Sequence, residues 1–211
     1  MTDDHETERR VRLFVALDFP DAIRAGLVTW QEGGALDDPA LRRVSPRSLH
    51  LTLCFLGHRP EADVGPIAAL IGELEPRRVD LRLASSPIPV PRGRPRLFAV
   101  GAESEEAEAL QAELAGLLEA GGFHEPEERP FWPHATIARV RSQRTAGPAS
   151  GRRRGSRPMR VSKPPHTLPD RLSEGFCAVR MTLYQSLLKP TGAEYVSRAG
   201  LDLPSARTEK R

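Results

Sequence analysis

Two short segments set the terms for any fold this chain can adopt. "LHLTLCFLG" (49–57) and "PHATIARV" (133–140) each read as a buried strand, yet each carries a histidine and a threonine two residues apart. Side chains two apart on a strand share a face. His50 and Thr52 therefore project together, with Leu51, Leu53 and Phe55 on the other side, and His134 and Thr136 do the same opposite Ala135 and Ile137. Each strand should bury one face and offer a polar pair from the other. The pairs lie 84 residues apart, His134 against His50, and each follows a strand and a helix of similar make-up. That repetition predicts an internal duplication whose halves face one another across a cleft.

The remaining segments supply both halves with strands and amphipathic helices. "RLFVALDF" (12–19) is a strand ending at Pro20, and Ile23, Leu27 and Trp30 then fall at helical spacing. The strand at 49–57 is expected to close at Gly57, before a helix marked by Val64, Ile67, Leu70, Ile71 and Leu74. Val79, Leu81 and Leu83 alternate as a strand whose partner is "RLFAVG" (96–101), across a Pro-rich loop. Ser104 caps the next helix, Glu105 and Glu106 suit its positive end, and Gly121 and Gly122 stop it. Cys177, Val179, Met181 and Leu183 alternate as one further strand, and "KPTGAEY" turns into a last one. Mixed helices and hairpin-linked strands predict an α+β fold.

Charge is uneven along the 211 residues, although the net charge is only +3. Arg141 to Pro169 contains no acidic residue, is rich in Arg, Gly, Pro and Ser, and should be a mobile loop rather than a packed element. It reads either as an electrostatic arm for a phosphate backbone or as a solvated insertion. No apolar run reaches the length of a membrane span, and the polar N-terminus has no signal-peptide core. Two cysteines, Cys54 and Cys177, form no paired motif, which fits a reducing cytoplasm. The expected organisation is a flexible N-terminus (1–10), one bilobal unit (11–203) with a basic insertion (141–170), and a flexible tail (204–211).

Two histidines facing each other near neutral pH can hold one protonated and one neutral ring. They then provide a general acid and a general base for one displacement, while threonine hydroxyls bind a tetrahedral, negatively charged centre. Phosphate chemistry fits this set. A metal site competes, but it needs further ligands, and no carboxylate or histidine recurs with the two pairs.

The doubled pattern, here "HLTL" and "HATI", resembles the two-histidine phosphoesterase superfamily. "RLFVALDFP", "LHLTLCFLG", "RPFWPHATIAR" and "LYQS" before "GAEY" together resemble the bacterial RNA 2′,3′-cyclic phosphodiesterases, historically called 2′-5′ RNA ligases. The likeness runs from about residue 11 to 203, with the basic loop standing out as an insertion. It implies two pseudo-symmetric lobes with antiparallel sheets around a cleft, and metal-independent hydrolysis of an RNA 2′,3′-cyclic phosphate end to a 2′-phosphate. The related alternatives are 2′-5′ ligation or cleavage, and an RNA-binding module without turnover.

Residue by residue, the resemblance makes His50 the proton donor and His134 the proton acceptor. Thr52, Thr136 and Arg139 become phosphate-binding groups, although strict alternation turns Arg139 away from Thr136 unless a bulge or a strand end redirects it. Phe14 and Trp132 are candidates for stacking on the terminal base, with a place in the core the favoured reading of each. Arg129 is a candidate for the phosphate or for a neighbouring carboxylate. His58 stands where the family often has Glu, and reads as a solvated turn residue; His5, His124 and His166 have no assigned partner. No metal and no cofactor is implied. The implied partner is RNA with a cyclic phosphate end, tRNA fragments among the candidates, bound by a monomer.

Overall fold

The structure, a computed structural model, describes residues 9–144, 156–189 and 192–205. Most of both expected flexible tails and the stretch 145–155 of the basic insertion, with its Arg152 to Arg154 run, lie outside the described residues.

The first strand, β1 (Arg10–Asp18), alternates and sends Leu13, Val15 and Leu17 into the core. Pro20 cannot continue it, and α1 (Asp21–Trp30) starts with an acidic residue at its positive end and buries Leu27 and Trp30. A wide turn at 31–35 leads to β2 (Leu41–Arg43) and then to β3 (His50–Pro60). Next, α2 (Val64–Glu73) buries Val64, Ile67 and Ile71. The strands β4 (Asp80–Leu83) and β5 (Ile88–Val90) both pair with β6 (Leu97–Glu103). The Ser104 hydroxyl accepts from the Ala107 amide at 2.9 Å and caps α3 (Glu105–Ala120), whose Leu110, Leu114 and Leu118 are buried. The chain continues as β7 (His134–Val140), β8 (Ser142–Arg144), β9 (Ser156–Pro158), α4 (Asp170–Ser173), β10 (Phe176–Cys177), β11 (Arg180–Lys189) and β12 (Gly192–Asp202).

The main sheet is antiparallel, in the order β10-β4-β6-β7-β3-β1-β11-β12, with β2 attached to β7 and β5 to β6. Its centre is the β3–β7 pair, and the strand–helix–strand path β1-α1-β3 is repeated as β6-α3-β7. Two pseudo-symmetric halves of an α+β fold thus meet along the two strands that carry the His and Thr pairs.

Four expectations change. The strand from Leu49 does not close at Gly57. Gly57, at φ +71°, opposes Leu13 while Phe55 opposes Phe14, so Leu56 is a bulge and β3 runs on to Pro60. The Pro-rich loop contains β5, whose three residues are too few for periodicity to reveal. The run from Cys177 to Leu183 is two strands: Ala178 N bonds Val79 O and Val179 N bonds Asp18 O, so the chain leaves one half of the sheet for the other there. Val179 is consequently exposed.

The fourth concerns the basic insertion, whose described part is anchored to the fold although most of its residues are exposed. Its base is a two-stranded ribbon, β8 with β9. Beyond it, Leu168 is buried and the Trp30 indole donates to the Thr167 carbonyl at 3.0 Å. The buried Asp38 carboxylate accepts from the Ser162 amide (2.7 Å), the Ser162 hydroxyl (2.8 Å), the Lys163 amide (2.8 Å) and the Ala40 amide (2.8 Å). Burial alone would raise the Asp38 pKa, but the donors from Lys163, Ala40 and Ser162 outweigh it and hold it at about 2.

The folded pKa of Asp38 lies below its unfolded value of 3.8, so its stabilisation is complete above that value and fades as pH falls toward about 2. Asp38→Ala should cost about 2 kcal/mol at pH 7. Denaturant titration of both proteins at pH 7 and near pH 2.5 checks this, the difference shrinking at the lower pH.

Candidate active site

A cleft of about 580 Å³ opens over the centre of the sheet, lined by His50 and Thr52 from β3 and by His134, Thr136 and Arg139 from β7. The halves meet at Leu51 and Ala135, which pair across β3 and β7 and are fully buried. Their neighbours on each strand therefore turn to the opposite, cleft face.

Arg139 reaches the cleft by the bulge that the sequence requires. In the β6–β7 register Thr136 opposes Ala99 and Ala138 opposes Phe98, leaving Ile137 as the extra residue. The buried Gln31 amide donates to the Ile137 carbonyl at 2.9 Å and ties the bulge to the end of α1. The first strand has the same device: Thr52 opposes Ala16 and Cys54 opposes Val15, leaving Leu53 extra. Phe55 therefore lines the cleft instead of projecting with Leu51 and Leu53. Simple alternation fails at Phe55 because it counts residues and not strand partners.

The two histidines have different surroundings. His134 Nδ1 lies 2.8 Å from the Trp132 carbonyl, and its ring stacks on the Trp132 indole, centroids 4.2 Å apart and 12° from parallel. A carbonyl only accepts, so Nδ1 carries the hydrogen and Nε2 is the nitrogen left to take a proton. His50 packs among Phe14 (5.1 Å), Tyr195 (5.2 Å) and Tyr184 (6.1 Å), centroid to centroid. Burial, then the positive charges of Arg139, Arg24 and His134, push its pKa down to about 4, against a weak opposing effect of the Ser48 backbone. Its Nδ1 is buried without a hydrogen bond of good geometry.

Beside this aromatic group lies a polar cluster whose members share no local sequence pattern. The buried Asp18, opposite His50 in the β1–β3 register, accepts from the Thr182 and Tyr184 hydroxyls, both at 2.7 Å, and pairs with Arg24 at 3.4 Å. Burial and the Asp18 carboxylate push the Tyr184 phenol up to about 12, so it remains a donor. Tyr184 and Ser186 belong to "LYQS" and Tyr195 to "GAEY", the flanks that carry the family resemblance.

Among the described residues the lining includes Arg12, Arg42, Arg43, Arg139 and Lys189 and no Asp or Glu, with Arg43 paired to Glu32 and Lys189 to Glu194 at its edge. Such a cleft attracts anions. Phe14 lines it but is 4% exposed, so it is mainly a core residue. Trp132, 38% exposed, lies outside the lining and backs His134. Arg129 is exposed and also outside. His58 is exposed on β3, in a strand and not a turn; His124 is buried and His166 exposed, both away from the cleft, and His5 lies outside the described residues. Among the described residues no group of three or more His, Cys, Asp or Glu is disposed to hold a metal ion.

No family model matches the chain. An RNA 2′,3′-cyclic phosphodiesterase of Thermus thermophilus is 38% identical over 138 residues, 61% of this chain and 68% of that protein. One from Escherichia coli K12 is 30% identical over 145 residues, 66% of this chain and 78% of that protein. Among solved structures, a Thermus thermophilus protein superposes with a TM-score of 0.69 at 28% identity, covering 91% of this chain and 97% of its own. Escherichia coli LigT complexed with 3′-AMP has the same fold, with a TM-score of 0.69 at 23% identity over 92% of this chain and 99% of its own. With paired His-x-Thr strands closing one cationic cleft and these relatives on either side, the chain belongs to the RNA 2′,3′-cyclic phosphodiesterase family.

Proposed function

We propose that the protein hydrolyses the 2′,3′-cyclic phosphate at an RNA 3′ end and leaves a 2′-phosphate, by acid–base catalysis between two histidines. The observation that carries this reading is the convergence of both His and Thr pairs, with Arg139, on a cleft whose described lining holds cations and no carboxylate. The name of the Thermus thermophilus relative supports the substrate class.

The cyclic phosphodiester binds with its charge toward Arg139 and the hydroxyls of Thr52 and Thr136. His134 Nε2 takes a proton from water, whose oxygen attacks phosphorus. The 3′ oxygen leaves with a proton from His50, and the 2′ ester bond stays intact. Donors fixed before the reaction stabilise charge as it develops on the phosphoryl oxygens. The ring stacked on Trp132 and held through Nδ1 is already oriented for the base role.

A ring held near 4 is neutral at pH 7, so His50 has no proton to give in the free protein. Burial is the largest cause of the depression and the Arg139, Arg24 and His134 charges follow; an anionic phosphate offsets those charges and so moves the ring toward the protonated acid that the step needs. Substrate and proton arrive as a coupled pair. The accompanying reading is a cytoplasmic monomer, one unit over 11–203 with short tails, acting on RNA fragments such as those of tRNA. Among the described residues no helix is long and apolar enough to cross a membrane.

Turnover of a nucleoside 2′,3′-cyclic phosphate with chelator present tests the assignment, and also separates an enzyme from an RNA-binding module. His50→Ala and His134→Ala should each lower kcat by about 10²–10⁴-fold while the fold is retained. A rate within threefold of the parent for either variant would remove that histidine from the mechanism.

The coupling of substrate to proton has its own readout. By NMR the His50 ring should titrate near pH 4 in the free protein and move upward when a nucleoside 2′-phosphate saturates the cleft. An unchanged midpoint would show that the bound anion does not create the acid.

A further inference from the structure

The strand that carries His134 does not stop at the cleft. Val140 pairs with Leu41 of β2, and the next residue, Arg141, keeps strand geometry. Its amide donates to the Ala40 carbonyl at 2.7 Å, and its carbonyl accepts from the Met159 amide at 2.8 Å. β8 follows at once, so one extended backbone runs from His134 to Arg144, with β2 and then β9 along the same edge. Residues two apart on it share a face. Beyond the bulge at Ile137, Arg141 and Gln143 therefore lie on the face that Arg139 turns to the cleft. Cross-strand partners share a face as well: Arg42 opposes Arg139, and Arg157 opposes Gln143. Arg42, Arg139, Arg141 and Arg157 thus form a stripe that leads out of the cleft, with alternate strand residues about 7 Å apart.

The surface agrees with the register. A second depression, lined by Arg42, Arg43 and Arg141, adjoins the cleft, and Arg42 and Arg43 line both. Arg141 and Arg157 are exposed. Asp37 and Asp38 also border this depression, but the Asp38 carboxylate is buried and taken up by the Ala40, Ser162 and Lys163 donors. Arg43 is paired with Glu32 at 3.6 Å. Other ways out of the cleft suit an anion less. Past Phe55, β3 borders a depression that Glu125 and Glu127 also line, and at the turn from β11 to β12 Lys189 is paired with Glu194. An extended nucleic-acid strand carries one charge per nucleotide at a spacing close to that of alternate strand residues. Arginines in line hold such a backbone without reading its sequence.

We infer that Arg42, Arg141 and Arg157 form a track for the phosphate backbone of the RNA upstream of the cyclic end, so that the strand leaves the cleft along β7 and β8. This rests on the proposed reading of the cleft, because a 2′,3′-cyclic phosphate closes the 3′ end and leaves only the 5′ side to continue. The base of the insertion then adds affinity for an RNA over a free nucleotide through backbone charge, whatever the sequence.

The experiment uses Arg141→Gln combined with Arg157→Gln, neither of which lines the cleft. Arg82→Gln combined with Arg171→Gln is the charge-matched control, exposed on β4 and α4 and outside both depressions. Affinity for a single-stranded octanucleotide ending in a 2′-phosphate is measured at several salt concentrations, and turnover of a mononucleoside 2′,3′-cyclic phosphate is measured beside it. The parent's turnover of the mononucleotide tests the reading of the cleft by itself; the inference concerns only the octanucleotide. Removing Arg141 and Arg157 should weaken octanucleotide binding on the order of tenfold at about 0.1 M salt. The slope of log affinity against log salt should flatten by about 1.4, from two phosphate contacts at about 0.7 each. Mononucleotide turnover in that variant, and octanucleotide binding by the control, should match the parent. An unchanged slope or an equal loss in the control would overturn the track. Loss of mononucleotide turnover would overturn it too, by showing that the two arginines serve the cleft or the fold.

Discussion

Everything at the centre of this molecule depends on one antiparallel contact, the pairing of β3 and β7 at Leu51 and Ala135. Both residues are fully buried, and both are flanked by the histidine and threonine of their strand. Burying the apolar pair therefore turns four polar side chains to one side. A single-residue slip of either strand would exchange its faces and put a histidine and a threonine into the core. The apolar stabilisation of the sheet and the placement of the reactive groups are one constraint, and neither can shift without the other.

The outer strands then tune what the seam assembles. β1 and β11 bring Phe14, Tyr184 and the Asp18 cluster beneath His50, while the Trp132 carbonyl and indole fix His134 from the connection before β7. One ring sits in a buried aromatic and cationic surrounding that disfavours its charge. The other is hydrogen-bonded in a defined tautomer. Two halves of similar backbone thus hold the same residue type in inequivalent surroundings.

Much of this was legible in the chain. Period-two alternation located His50, Thr52, His134 and Thr136, and the geometric conflict at Arg139 required a bulge that is present after Thr136. The same reasoning misplaced Phe55, because nothing in "LTLCF" signals that Leu53 is extra; a bulge is a property of the pairing and not of one strand. The Cys177–Leu183 run shows a related limit. Its alternation is continuous, but its hydrogen bonds go first to one half of the sheet and then to the other. The Asp18 cluster was unreadable for a third reason: its members come from positions 18, 24, 182 and 184 and share no local pattern. Composition predicted a loose basic insertion, but it could not weigh a single buried carboxylate, Asp38, against the loss of chain entropy.

The ribbon at the base of that insertion has an architectural consequence. β8 and β9 pair Arg144 with Ser156, so the chain leaves and returns at adjacent points, and Asp38 fixes the returning strand a few residues later. Closing a longer or shorter excursion between fixed, neighbouring ends changes the free energy only logarithmically with its length. A change of length between those two ends therefore carries a small closure cost and need not disturb the register of β3 with β7.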